Sequence, residues 1–392
     1  MSSVAPSGSS DTVSWPVVVA PRYDVDWLGS VLPGAALLFG VDTGRPALAL
    51  PAAERVCVVL IDGLGQRQLE QATADAPFLS SLMADGQSLT AGCPSTTATS
   101  LASFATGRPP GQHGLVGYEV MDPDRGVLLN ELRWEPPTDP IRWQPYPTVF
   151  ETLQVSGVPV VKIGNPEFDG SGLTQAALRG GRFVGAERLH SRVDLAVEAL
   201  AGPGPGLVYL YWGEVDGAGH RYGWRSRQWR KALRSTDRGL ARLAAKLDPG
   251  TLLLITADHG MVDVPYARRM DLADHPALAQ RVRVLGGEGR FAQAYCPAGS
   301  TVNDAAALAA DFSAVIGDQA LVRTRDAAIA EGWFGPVDER VRGRIGDVLI
   351  AGVEAFTLVD TRTARPQVLA LIGQHGSLTE QEQLVPLLLS EE

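Results

Sequence analysis

Val56-Cys57-Val58-Val59-Leu60-Ile61-Asp62-Gly63 is the stretch on which the fold turns. Six apolar residues run together without alternation and stop at an acid and a glycine. A strand with one wet face alternates with period two. A continuous run marks a strand covered on both faces, as in a parallel sheet between helices. Three more runs share this design. Gly206–Trp212 leads into Gly213-Glu214-Val215-Asp216, and Thr251–Thr256 leads into Ala257-Asp258-His259-Gly260. Val368–Ile372 leads into Gly373-Gln374-His375-Gly376. Helical patterns over 186–201 and 227–247 separate them. The fold class expected is α/β, with a mostly parallel sheet flanked by helices.

Residues 266–365 read differently. Arg281–Gly286, Arg290–Cys296, Gln319–Arg325 and Asp347–Thr357 look like short strands, with one helix at Val302–Ile316. This predicts a small inserted α+β cap domain over 266–365. The catalytic core would then be 15–265 and 366–392, preceded by a flexible polar arm at 1–14.

The 392 residues carry a net charge of −10, which repels duplex nucleic acid. The three cysteines, Cys57, Cys93 and Cys296, are too few and too far apart for a disulfide framework. The N-terminal stretch lacks a basic region followed by an apolar one, and no apolar run reaches the ~18–20 residues that span a bilayer. The expectation is a cytoplasmic protein with no membrane partner.

Ligands in open α/β sheets bind at the carboxyl ends of the strands. Here those ends carry Asp62, then Asp216 and His220, then Asp258 and His259, then His375. Asp216 and His220, four apart, share one face of a helical turn. One Asp after a strand is an ordinary helix cap, and one His is ordinarily a hydrogen-bonded structural residue. Three of each are not explained that way, because clustered carboxylates repel one another. Divalent cations resolve the repulsion, and mixed Asp/His ligation suits zinc or manganese. Six ligands suffice for two metal ions with three each and an open position. Such a pair can clamp the attacking and leaving oxygens of a phosphoryl displacement. The nucleophile is sought in Cys93-Pro94-Ser95-Thr96-Thr97-Ala98-Thr99-Ser100, a hydroxyl-rich stretch entering a helical pattern. A hydroxyl at a helix N-terminus lies beside free N–H groups and the positive end of the dipole.

At these residues the chain resembles the alkaline phosphatase superfamily, in its nucleotide pyrophosphatase/phosphodiesterase branch. The likeness runs through Leu60-Ile61-Asp62-Gly63-Leu64, Pro94-Ser95-Thr96-Thr97, Ala105-Thr106-Gly107-Arg108-Pro109 and His113-Gly114. It returns at Asp216 to Gly223, at Thr256 to Met261, at His375-Gly376-Ser377 and in the tail from Thr379 to Leu387. The resemblance implies an alkaline-phosphatase-like core with Asp216, His220 and His375 on one metal. Asp62, Asp258 and His259 would hold the other, with Thr97 as nucleophile at its open position. It further implies a phosphoric diester hydrolase cleaving nucleotide phosphodiester or pyrophosphate bonds through a phospho-threonine intermediate. Where relatives carry a phosphoryl-binding Asn this chain has Tyr118. Arg221, Tyr222 and Trp224, next to His220, are expected to meet a small nucleotide; Phe78 and Trp134 are further aromatic candidates, for which a place in the core is the preferred reading. Cytosolic members of similar length include enzymes that hydrolyse cyclic dinucleotides such as cyclic di-AMP, and the resemblance extends the expectation to that substrate class. The alternatives are a phosphonoacetate-hydrolase-like or phosphomonoesterase member of the superfamily and, outside enzymes, a metal-stabilised sensor of a phosphorylated ligand.

Overall fold

The computed structural model describes residues 18–24, 26–135 and 137–391. The expected arm at 1–14 lies outside the described residues. The central sheet has seven strands: β1 (Arg55–Ile61), β2 (Gln87–Thr90), β3 (Val160–Gly164), β4 (Arg182–Gly185), β5 (Gly206–Trp212), β6 (Thr251–Thr256) and β7 (Leu384–Glu391). Their order is β2-β7-β6-β1-β5-β3-β4. β6, β1, β5, β3 and β4 are parallel, while β7 runs antiparallel to both β6 and β2. Val56 to Ile61 are fully buried, as the unbroken apolar run requires.

Register positions the chemistry. In β1, Leu60 pairs with Tyr211 on one side and Thr256 on the other. The three central strands therefore end level, and the loops that leave them meet over one edge of the sheet. Five helices matter below: α1 (Thr97–Thr106), α2 (Leu189–Leu200), α3 (Glu214–Tyr222), α4 (Arg227–Ala244) and α5 (Val302–Ile316).

Between β6 and β7 the chain forms a separate four-stranded antiparallel sheet from Val284–Glu288, Phe291–Tyr295, Val348–Gly352 and Ala320–Thr324, in that order. α5 packs on it and shares an apolar cluster with it through Leu308, Phe312 and Ile316. The α5 start is fixed by reciprocal bonds between Thr301 and Asp304. This sheet is fastened to the core by Gln293, whose Nε2 donates to the Val116 carbonyl at 2.8 Å. A fully buried Arg290–Glu382 ion pair adds a second tie.

One strand reading is corrected. Val368–Ile372 is not a strand of the sheet. Pro366 opens a short helical turn, Pro366–Leu369, and only Gly373–Gln374 pairs, with Val262–Asp263. Pro is at home in a first helical turn, where its missing N–H costs nothing. The Arg269 guanidinium then accepts the burden of the loop carbonyls of Leu369 and Leu371, to which it donates.

Candidate active site

Asp62 directly follows β1. Asp216 and His220 project from α3, which begins two residues after β5, and Asp258 and His259 follow β6. His375 comes from the loop after the short Gly373–Gln374 pairing. Ligand atoms fall into two trios, Asp62/Asp258/His259 and Asp216/His220/His375, each spanning at most 4.8 Å. The His259 and His375 rings stack with centroids 3.6 Å apart, so the trios adjoin.

All three histidines are set in the same tautomer. Nδ1 of His220 faces the Gly373 carbonyl at 2.7 Å, that of His259 the Gly260 carbonyl at 3.0 Å, and that of His375 the Ser95 carbonyl at 3.0 Å. A carbonyl only accepts, so each Nδ1 carries the proton and each Nε2 offers a bare lone pair. His220 Nε2 and His375 Nε2 are then 3.3 Å apart, lone pair against lone pair. His259 Nε2 lies 3.4 Å from Asp62 Oδ1 and 3.6 Å from Asp258 Oδ2. Asp62 Oδ1, Asp216 Oδ1 and Asp258 Oδ2 are buried without a hydrogen-bond partner. A group of acceptors converging without donors fits a cation. Electrostatics agree. Burial, then Asp258 and Asp216, push the Asp62 carboxyl well above its usual range; burial also raises Asp258. Burial and the two neighbouring histidines push His375 well below the ordinary imidazole value.

Thr97 opens α1, with Thr96 in the capping position and no side-chain cap bond. Its hydroxyl lies 3.2 Å from His259 Nε2. The loop before it is pinned to the His375 loop: Ser95 N donates to the Gly376 carbonyl at 3.0 Å and Ser95 Oγ to that of Ser377 at 2.7 Å. Gly63 permits the closest approach. A Cβ there would stand 2.8 Å from Asp216 Cβ, and its φ of +72° suits glycine.

The remaining expected residues are placed less uniformly. Tyr118 is half-buried, and among the described residues no hydrogen bond joins its hydroxyl to Thr97 or either trio. Arg221 and Tyr222 turn away from the trios into a cleft on another side of α3. Trp224 is only 6% exposed and its ring meets Trp229 edge-on at 6.0 Å, which corrects its expected role as a base-stacking surface. Phe78 packs against the core and Trp134 lies within it. His113 is structural: Leu115 N donates to its Nδ1, and its Nε2 pairs with Ser103.

Three residues near the site carry no sequence signal. The Tyr211 hydroxyl donates to Asp62 Oδ2, fixing the carboxylate that α/β register brings forward. Phe168, 37% exposed, lies edge-on to Tyr211 with centroids 5.8 Å apart. Glu288, from the inserted sheet, lies against Gly376 and beside Thr96, and burial pushes its carboxyl up to about 8.

A mostly parallel sheet that carries two Asp/His trios and a helix-borne threonine defines a protein of the alkaline phosphatase superfamily. The chain belongs to its type I phosphodiesterase / nucleotide pyrophosphatase family, whose sequence pattern matches residues 56–378. Human ectonucleotide pyrophosphatase/phosphodiesterase family member 7 is 26% identical over 250 residues, covering 58% of this chain and 52% of that protein. A phosphopentomutase from Anaeromyxobacter dehalogenans (strain 2CP-C) is 37% identical over 120 residues, covering 30% of this chain and 28% of the relative. The chain thus spans about half or less of the length of these relatives. In structure it is similar to murine ectonucleotide pyrophosphatase / phosphodiesterase 5, an inactive T72A form in complex with AMP. The TM-score is 0.69 at 20% identity, covering 85% of this chain and 87% of that one. It is also similar to phosphonoacetate hydrolase from Sinorhizobium meliloti 1021 in complex with phosphonoacetate. There the TM-score is 0.65 at 22% identity, covering 86% and 90%.

Proposed function

We propose that this protein is a metal-dependent phosphodiesterase that cleaves nucleotide phosphodiester or pyrophosphate bonds through Thr97. The observation that carries the reading is the Thr97 hydroxyl at the start of α1, 3.2 Å from His259 Nε2 and beside two trios in which Asp62 Oδ1, Asp216 Oδ1 and Asp258 Oδ2 are buried without a partner. Asp62, Asp258 and His259 would hold one divalent ion, zinc or manganese, and Asp216, His220 and His375 the other. Bound there, such ions neutralise phosphoryl charge and favour the threonine alkoxide. The chain's own groups do the rest. Thr97 Oγ1 forms a bond to phosphorus as the bond to the leaving oxygen breaks, giving phospho-threonine. Water then cleaves that ester and restores the hydroxyl. The unpaired N–H groups at the first turn of α1 favour the phosphoryl oxygens throughout. The three carbonyl-bound Nδ1 protons keep the imidazoles oriented.

The half-exposed Phe168 on Tyr211 favours a substrate with a stacking base. Cyclic dinucleotides such as cyclic di-AMP fall within this class, since each offers diesters next to planar bases. The free thiols Cys57 and Cys93, both buried, suit a reducing cytoplasm. The test is a substrate panel with manganese or zinc supplied, read by chromatography. Bis-p-nitrophenyl phosphate should be preferred to p-nitrophenyl phosphate, and linear or cyclic dinucleotides should be cleaved. Preference for the monoester, or turnover of phosphonoacetate alone, would overturn the reading.

A further inference from the structure

A cleft of about 760 Å³ lies on a side of α3 that does not carry Asp216 and His220. At ~100° per residue, positions 217, 218, 221 and 222 point around the helix from 216 and 220. Gly217, Ala218, Arg221 and Tyr222 accordingly line the cleft. Its other walls are the segment entering α2, the end of β5 at Trp212, and α4.

Three cationic side chains line it, from three separate elements. Arg188 comes from the segment before α2, Arg221 from α3 and Lys231 from α4. None of the three has an ion-pair partner among the described residues, whereas a fourth lining cation, Arg242, is held by Asp194 at 2.7 Å. The twelve-residue α2 begins at the cleft. Arg188 holds its capping position with no side-chain cap bond, and Leu189 and His190 line the cavity. The first-turn amides and the positive end of the helix dipole add to the three cations. Beside this cationic corner stand two aromatic rings. Trp212 has the Arg192 guanidinium 4.8 Å from its ring, and Tyr222 is 43% exposed. Glu187, beside Arg188, and Glu214, at the start of α3, supply acceptors from two walls of the cleft.

We infer that this cleft is a second ligand site, separate from the two trios, and that it takes a nucleoside phosphate. The phosphate is met by Arg188, Lys231 and the start of α2. The base lies against Trp212 or Tyr222, and the ribose hydroxyls donate to Glu187 or Glu214. A volume of this size accommodates a ligand of nucleotide dimensions, and a phosphate group supplies the charge that the unpaired cations lack.

The experiment is equilibrium dialysis of radiolabelled AMP against chelator-treated protein, in which the trios hold no metal. One saturable equivalent is expected, weakened about tenfold or more by the R188A/K231A double variant and unchanged by His375→Ala. Pyrophosphate, run as the second arm, should bind more weakly than AMP. Absence of saturable AMP binding would overturn the site. So would binding lost in His375→Ala yet retained in the double variant, which would place AMP at the trios. Pyrophosphate binding as tightly as AMP would overturn the nucleoside assignment. Arg188 and Lys231 are exposed, so unchanged melting of the double variant separates loss of binding from loss of fold. The readout is independent of turnover and so of the proposed diesterase activity.

Discussion

Thr97 Oγ1 lies 3.2 Å from Nε2 of His259, whose Nδ1 proton is committed to the Gly260 carbonyl. The imidazole is therefore an acceptor toward Thr97, and the hydroxyl points its proton into the Asp62/Asp258/His259 trio. Replacing the hydroxyl removes the nucleophile without removing a trio member. Thr97→Ala should lower kcat by about three orders of magnitude or more while metal content stays at the wild-type level. Thr97→Ser should retain measurable turnover. Elemental analysis and steady-state kinetics on the same preparations check this; wild-type turnover in the alanine variant would remove Thr97 from the chemistry.

Asp62 has one oxygen free for a cation and the other engaged by the Tyr211 hydroxyl. The phenol is half-buried, and its donor orients the carboxylate and lowers the cost of its negative charge. Tyr211→Phe keeps the ring that packs on Phe168 and deletes only that donor. Metal affinity should fall by roughly 10- to 100-fold. Activity should recover when excess metal is supplied. An unchanged affinity in a metal titration would show that the hydrogen bond does not support the trio.

These two residues also show where the sequence stops being informative. The ligand-bearing strand ends are legible because double-sided burial leaves an unbroken apolar run, and Asp62, Asp216 and Asp258 stand within four residues of the ends of such runs. α5 is legible at Val302–Ile316 because Thr301 and Asp304 form a local cap. His375 is found by its residue type, yet Val368–Ile372 reads wrongly as a strand. A short apolar run has the same composition in a packed turn, and Arg269 anchoring that turn comes from a hundred residues away. Tyr211 and Glu288 leave no mark at all, since their contacts join segments 149 residues apart for Tyr211 and Asp62, with no fixed spacing. Trp224 misleads because its basic neighbours suggest a solvent face, while Trp229 covers its ring.

Glu288 gives a pH prediction. Burial, opposed in part by Thr96, raises its carboxyl from 4.5 to about 8. The folded protein therefore favours the neutral form. A raised pKa contributes stability that is full below the unfolded value and is lost as pH rises through the folded one. Wild-type stability should accordingly decline between about pH 5 and pH 9, by a few kcal/mol at most. Glu288→Gln resembles the neutral acid. It should melt like wild type at pH 5 and at a higher temperature than wild type at pH 9. Parallel melting curves for the two proteins across this range would show that the ionised carboxylate is compensated in the fold.

Gly63 sits where β1 delivers Asp62 to the site, with φ +72° and the Asp216 backbone against it. A Cβ at this position would stand 2.8 Å from both Cβ and Oδ1 of Asp216 and 2.9 Å from its Cα. Backbone cannot yield as a flexible side chain does, so Gly63→Ala must displace either the turn after β1 or the start of α3. Both strain at positive φ and the clash act on the same contact, and a loss of about 1–3 kcal/mol of stability is expected. Either displacement separates Asp62 from Asp216, and with them the two trios. The variant should therefore lose turnover far beyond what its stability loss accounts for, even at temperatures where it is fully folded. Gly217→Ala is the control, because a Cβ on Gly217, one residue further along α3, meets nothing within 4 Å. It should leave turnover near wild type. Equal loss of turnover in the two variants would mean that α3 is sensitive to any added methyl group, and that the Gly63–Asp216 contact is not what sets the spacing of the trios.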